Sequence, residues 1–390
     1  MERPQFTSHN LCDIIYVMKQ RLDNPFVLSG YVAPEYFCDR VKETAELKDA
    51  ICNGRNVTLL APRRMGKTGL IKNVFFQLER EKEWKTVYLD IYSATSLPEF
   101  AKRLAAAVLS VVDSDIAKAL RAVGRFFRSF RPVVSIDAAT GSPSYSFTIE
   151  PSTVETTLKE CFDYLARDDR KIVVAIDEFQ QVASFPEKGA EALLRSHIQF
   201  LPNVRFVFAG SKRHLMAQMF SEPNRPFYNS TQMFPLEAID CDAYYRFAAQ
   251  HMRKAGVSLA EDVFKRVYQQ FDGITWYVQA VMNRLYGYNS AKSSDVDEAI
   301  NKIIDENTYN YENIFEVIPA GSANLLRAIA AEGHVREVQA GGFVAKHGLK
   351  ASSSAKQALA RLLDLGMVTK CADGGYVVDD RFFAIWLTRN

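Results

Sequence analysis

The sequence has no strong charge of either sign: 48 Lys and Arg stand against 46 Asp and Glu, for a formal net charge of +2. No global basic field therefore announces a nucleic-acid partner. Cysteine is sparse and scattered. Cys12, Cys38, Cys52, Cys161, Cys241 and Cys371 form no C-x-x-C pair, and none has a histidine at metal-ligand spacing. Such usage fits reduced, mostly buried thiols in a cytoplasmic protein and excludes a disulfide framework. The six histidines are equally dispersed, so no zinc site is expected. No apolar run approaches the length of a membrane span, and no membrane partner is expected. Leu11 to Met18 is apolar but contains Asp13, has no basic region before it and leads into Lys19 and Arg21. It reads as a short amphipathic helix, not a secretory signal.

What is present is concentrated in one stretch of a 390-residue chain, long enough for two or three domains. An apolar run from Val57 to Leu60 reads as a buried strand. Ala61-Pro62-Arg63-Arg64-Met65-Gly66-Lys67-Thr68-Gly69 follows, and then an amphipathic helix with Leu70, Ile71, Val74, Phe75 and Leu78 on one side. Strand, loop, Gly-Lys-Thr and helix form the arrangement that binds a nucleoside triphosphate. Amides of the loop and the helix N-terminus point at phosphates, Lys67 reaches the β and γ oxygens, and the Thr68 hydroxyl holds Mg²⁺. Two features depart from the usual pattern: Ala61 stands where a Gly is usual, and Pro62 has no N–H to offer.

A second segment, Lys171 to Glu178, is an unbroken apolar run ending in two carboxylates. Strands buried on both faces belong to parallel sheets, whose sites lie at the strands' carboxyl ends. Asp177 is thereby expected to assist Mg²⁺ and Glu178 to act as a general base on the attacking water. The bland alternative is a core strand that stops at a solvated acidic pair. Val204 to Gly210 is a further apolar strand. Ser211 after it either senses the γ-phosphate or caps the next helix, and one residue could serve both. Arg213 and Arg225 are candidates for an arginine finger, in cis or from a neighbouring subunit of a nucleotide-dependent oligomer; surface salt-bridging is the alternative for each.

The rest of the chain sets the architecture. Trp84 to Tyr92 and Thr231 to Leu236 read as strands; Asp39 to Ala50, Pro98 to Val112 and Thr153 to Ala166 read as helices. Arg121 to Arg131 mixes Arg with Phe, which suits either an amphipathic helix or contact with nucleic acid. Val133 to Ile149 predicts a β-hairpin around Gly141-Ser142-Pro143. From Cys241 onward the pattern is helical: Asp242 to Ala255, Ala260 to Phe271, Thr275 to Leu285 and Ser294 to Glu306. Two more helices follow, then Ser352 to Leu365, a strand, the Gly374-Gly375 turn and a second strand, which is a winged helix-turn-helix order. Ser353, Ser354, Lys356, Gln357 and Arg361 would face outward on its recognition helix.

The order of these features resembles the archaeal-type AAA+ ATPases, relatives of the STAND P-loop NTPases common in archaea and Bacteroides-like bacteria. The matching strings are Tyr36-Phe37-Cys38-Asp39-Arg40 with Glu43 and Leu47, Pro62 to Thr68, Ile176-Asp177-Glu178-Phe179-Gln180, Ala209-Gly210-Ser211, Arg225-Pro226-Phe227-Tyr228 and Gly273-Ile274-Thr275-Trp276-Tyr277. The resemblance implies ATP as ligand, with Tyr36 to Arg40 near the adenine, and a Walker B strand next but one to the P-loop strand. It also implies a sensor at Ser211. Thr275 replaces the Pro of the family's lid motif. No acidic pair followed by the Lys of a nuclease site is found, so no nuclease activity is expected, and no Asn-Lys-x-Asp guanine reader is present.

The expected fold is α/β: an AAA+-like P-loop NTPase with a parallel sheet flanked by helices, then a helical lid and a C-terminal winged helix-turn-helix domain. The expected boundaries are a leader helix at 1–23, the NTPase domain at 24–236 with an insertion at 121–150, the lid at 237–315 and the winged helix at 316–390. The expected function is an Mg²⁺-dependent, ATP-hydrolysing switch whose winged helix contacts DNA or a protein. The alternatives are a non-hydrolysing scaffold that holds nucleotide, and a DNA-binding protein with a vestigial P-loop.

Overall fold

Short runs rich in β-branched and aromatic residues build one five-stranded sheet, and every neighbour in it is parallel. Its strands are β1 (Val57–Leu60), β2 (Trp84–Asp90), β5 (Lys171–Asp177), β6 (Val204–Gly210) and β7 (Gln232–Pro235), in spatial order β2-β5-β6-β1-β7. A parallel sheet is covered on both faces, which explains why β5 after Lys171 is buried at every position. The computed structural model of the protein describes residues 22–112, 131–136, 143–148, 151–288, 290–371 and 373–389. The leader helix and the basic, aromatic segment at 121–130 lie outside the described residues. The hairpin does form, with β3 (Arg131–Ile136) antiparallel to β4 (Pro143–Thr148).

Helices alternate with the strands: α1 (Val41–Cys52), α2 (Lys67–Glu79), α3 (Leu97–Val112), α4 (Val154–Ala166), α5 (Ala190–Ile198) and α6 (Arg213–Ser221). The Walker B strand β5 lies next but one to the P-loop strand β1, with β6 between them. Val57 pairs with Val207, and Trp84 pairs with Lys171 through to Asp90 with Asp177. Both carboxylates of that last pair therefore stand at the sheet's carboxyl edge.

The core directly behind this edge is aromatic. Phe179, Phe208, Phe220 and Phe227 are all buried, with ring centroids between 4.6 and 5.8 Å apart. Each such pair contributes about 0.5–1.5 kcal/mol beyond its buried area. The cluster holds the residue that follows Glu178 and so limits the movement available to the acidic turn.

The chain divides into two compact units, Met1–Tyr244 and Tyr245–Asn390, with helix α7 (Cys241–Lys254) running across the division. The second unit contains the short parallel pair β8 (Ser258–Leu259) and β9 (Ser290–Ala291), then α8 (Glu261–Gln270), α9 (Thr275–Leu285) and α10 (Ser293–Glu316). α10 continues ten residues beyond the expected end at Glu306, because Tyr311 further along it is buried against Phe383 and Trp386. The winged helix then consists of α11 (Ala320–Glu332), α12 (Gly341–Lys346), α13 (Ser352–Asp364), the antiparallel wing β10 (Val368–Lys370) and β11 (Tyr376–Val378), and α14 (Arg381–Arg389). Tyr277 of α9 donates its hydroxyl to the Asp379 carbonyl (3.1 Å) and accepts the Arg381 N–H (3.0 Å). No helix among the described residues is long and apolar enough to cross a membrane.

Candidate active site

Strand β1 delivers the chain to Ala61, which is fully buried, and the loop then turns into α2. The left-handed conformations in that turn fall at Arg64 (φ 65°) and Gly66 (φ 91°), not at Ala61. A side chain at position 61 therefore carries no backbone penalty, whereas Gly66 stands where only glycine is free of one. Pro62 is half-buried and Arg63 exposed. Gly66 is the N-cap of α2 and provides no side-chain cap, so the first amides of Lys67, Thr68 and Gly69 are available to an anion. Phe37 packs over Gly69 so closely that a Cβ there would lie 3.3 Å from the ring.

The loop is also held from below. Arg40 is buried, donates to the Met65 carbonyl (3.3 Å) and pairs with Glu43 (2.7 Å). Asp39 beside it is exposed, with φ 49°. Both residues are left-handed, and the second becomes the N-cap of α1.

The two motifs that the sequence separates by about a hundred residues meet directly. Thr68 donates its hydroxyl to Asp177 Oδ2 at 2.9 Å. Tyr88, from β2, donates to the same oxygen at 2.8 Å, and the Glu178 N–H donates to Oδ1 at 3.0 Å. Burial, with the Asp177 charge beside it, pushes the Tyr88 phenol well above its ordinary range. The Lys72 ammonium sits 3.9 Å from the centre of the Tyr88 ring. Glu178 adopts φ 57° and directs its carboxylate back across the site. Its Oε2 accepts from Ser211 (2.7 Å) and from Gln180 Nε2 (2.5 Å), while Oε1 is 4.0 Å from Lys67 Nζ. Ser211 does not cap the next helix, whose N-cap is Lys212.

Lys67, Thr68, Asp177, Glu178 and Ser211 are thus brought into direct contact by two strand ends and one helix start. The donor set suits a hard dication: a carboxylate and a hydroxyl oxygen lie side by side on a buried residue and its neighbour. A buried ammonium and a run of uncapped amides beside them suit phosphate.

Arg225 goes elsewhere: it pairs with Glu191 at 2.6 Å. Glu191 is buried and Arg225 half-buried, and Glu191 Oε2 and Arg225 Nε are buried without a partner. Burial raises the Glu191 carboxyl and the neighbouring guanidinium partly offsets it. Arg213 is exposed at the start of α6.

Two residues at the site had no assigned role in the sequence. Gln180 belongs to a recognisable string, so its spacing could have flagged it. Its Oε1 is buried without a partner and occupies the space over Gly210, where a Cβ would lie only 2.3 Å away. Tyr88 had no such signal, since only the β2–β5 pairing brings it to Asp177. One histidine acquires neighbours in the fold that the sequence keeps apart. The fold draws the ligand atoms of His334, Cys371 and Asp373 within 4.8 Å of one another. Asp373 is already matched there by His334 at 3.1 Å and Arg336 at 3.5 Å, and no metal is assigned.

A family described as an ATPase domain predominantly from Archaea matches residues 37–281, and one described as a probable winged helix domain matches residues 309–389. No curated protein matches the sequence. Among solved structures, a Walker-type ATPase of Pyrococcus abyssi is similar with a TM-score of 0.61 and 19% identity, covering 93% of this chain and 99% of that one. The Aeropyrum pernix ORC1 protein in complex with DNA has a TM-score of 0.54 and 15% identity over 94% and 96% of the two chains. The Aeropyrum pernix ORC2 protein, solved as ADPNP–ADP complexes, has a TM-score of 0.52 and 16% identity over 96% of each. At such identities the likeness is one of fold.

Proposed function

Because the chain belongs to the family of ATPase domains found predominantly in Archaea, we propose that it is an Mg²⁺-dependent ATPase that works as a switch, passing its nucleotide state to a winged-helix module that contacts duplex DNA. The observation that carries this reading is the direct contact of Thr68 with Asp177 and of Lys67 and Ser211 with Glu178. Lys67 and the amides of 66–69 bind the β and γ phosphates. Thr68 and Asp177 would hold Mg²⁺, which supplies charge neutralisation on the phosphate oxygens when bound. Glu178 orients the attacking water and takes its proton while the bond from the γ-phosphorus to the bridging oxygen breaks, releasing ADP and phosphate. Ser211, on the Glu178 carboxylate, reports whether that group is engaged.

The DNA partner is supported by the outward face of α13, where Ser353, Ser354, Lys356, Gln357 and Arg361 are all exposed. Of the three carboxylates nearby, two are used internally: Asp380 caps α14 by accepting from the amides of Phe382 and Phe383, and Asp379 accepts from Thr369, whereas Asp364 at the end of α13 is exposed. The DNA-bound ORC1 relative has a comparable overall fold.

One observation favours a second reading, a nucleotide-holding scaffold that does not hydrolyse. Both Glu178 oxygens are engaged, by Ser211 and Gln180 on one side and Lys67 on the other, so the base is latched. Phosphate release by the purified chain, with and without duplex DNA, separates the two. An active switch requires Lys67→Ala to abolish nucleotide binding and Glu178→Gln to retain bound ATP with turnover about 10²–10⁴-fold lower. Turnover unaffected by Glu178→Gln would sink its assigned role, and no release under any condition would leave the scaffold.

A further inference from the structure

We infer that Tyr88 is a positioning residue for the cation site, fixing the Asp177 carboxylate through its hydroxyl and itself fixed by Lys72; the inference rests on the reading of Thr68 and Asp177 as the Mg²⁺ pair. Asp177 Oδ2 accepts two hydroxyl donors from different elements, Thr68 at the start of α2 and Tyr88 in β2, while Oδ1 accepts the Glu178 amide. Three segments thus define one carboxylate orientation. Tyr88 can reach because of register. It lies opposite Ala175, two residues short of Asp177, and the small buried alanine leaves the phenol free to lean along the strand.

Lys72 completes the arrangement. It stands one helical turn after Thr68, so a single face of α2 presents the hydroxyl to Asp177 and an ammonium to the Tyr88 ring, 3.9 Å from its centre. The P-loop helix therefore grips the Walker B carboxylate twice, once directly and once through β2. Groups that hydrogen-bond a metal ligand without touching the metal set its orientation, and their loss lowers metal affinity by about 10–100-fold.

The test is binding of a fluorescent, non-hydrolysable ATP analogue by the full chain, titrated with MgCl₂ and repeated in EDTA. Tyr88→Phe keeps the ring and its contact with Lys72 and removes only the hydroxyl. It should raise the MgCl₂ concentration for half-maximal binding by about 10-fold or more, with affinity in EDTA within about twofold of the parent. Lys72→Met, which leaves the phenol in place, should raise it by about two- to fivefold. Thr68→Ala is the reference and should give a shift at least as large as Tyr88→Phe. A Tyr88→Phe protein with the parent's MgCl₂ dependence, beside a shifted Thr68→Ala protein, overturns the inference alone. Equal loss of affinity with and without Mg²⁺ also overturns it, because the hydroxyl would then be supporting the loop. If Thr68→Ala shifts nothing, the cation site itself is misassigned and the inference falls with it.

Discussion

At Gly210 there is no room for a methyl group. A Cβ would lie 2.3 Å from Gln180 Oε1 and 2.6 Å from Met216 Cγ, at the strand end that precedes Ser211. Gly210→Ala is expected to lower stability by about 1–3 kcal/mol, read as a lower urea midpoint, and to reduce ATP turnover because Gln180 is the second donor to Glu178. A parent-like midpoint would mean that Gln180 moves aside without cost. Arg225 gives a pH-dependent case. Glu191 has its folded pKa raised by burial, so it favours the protonated form, and the stability it contributes is present at low pH and lost as pH rises through the folded value. Arg225 reduces that loss. Arg225→Met should therefore cost about 1–2 kcal/mol near pH ~7 and little below pH ~4, the figure being modest because Arg225 is about a third exposed. A cost that does not change with pH would rule out the buried carboxylate as its source. The sequence made the short-range partners at this scale readable, since Lys67 and Thr68 belong to one string and Asp177 and Glu178 to another. It could not show that Arg225 turns to Glu191, or that Tyr88 turns to Asp177, because both depend on which elements become neighbours.

Elements were legible wherever periodicity and punctuation agreed. The strand at Lys171–Asp177 is apolar throughout, and helix Thr275–Leu285 begins after the left-handed Gly273, as their residues imply. The length of α10 was not legible: nothing local stops it or extends it past Glu306, and burial of Tyr311 against Phe383 and Trp386 comes from residues some seventy positions later. Ser352–Asp364 is the element on which the nucleic-acid proposal depends. Its inner face is Ala355, Ala358, Leu359 and Leu362, all buried, and that leaves Lys356 and Arg361 to the outside. If those two contact phosphate, replacing either by Ala should weaken duplex binding at all sequences and lower the slope of log affinity against log salt by about 1. Fluorescence anisotropy at several salt concentrations measures it. An unchanged slope in both variants would point to a protein partner instead.

At the scale of the molecule, each compact unit contains its own aromatic centre: Phe179, Phe208, Phe220 and Phe227 in one, with centroids 4.6 to 5.8 Å apart, and Phe271, Tyr277 and Phe382 in the other, with centroids 5.1 to 5.4 Å apart. Two independent cores predict two calorimetric transitions. ATP with Mg²⁺ at about a hundred times its dissociation constant should stabilise one of them by about 2.7 kcal/mol, and Lys67→Ala should remove that response. A single transition that shifts as a whole would show the two units to be one cooperative body.

Tyr277 ties two stretches of the second unit together that lie about a hundred residues apart in the chain. One phenol oxygen both gives and receives a hydrogen bond at 379–381, so α9 is riveted to the turn between the wing and the last helix. If the proposed switch operates, a tilt of α9 should draw the base of the wing and the first turn of α14 along with it, and Tyr277→Phe, which removes the bond to the Asp379 carbonyl, should loosen that coupling.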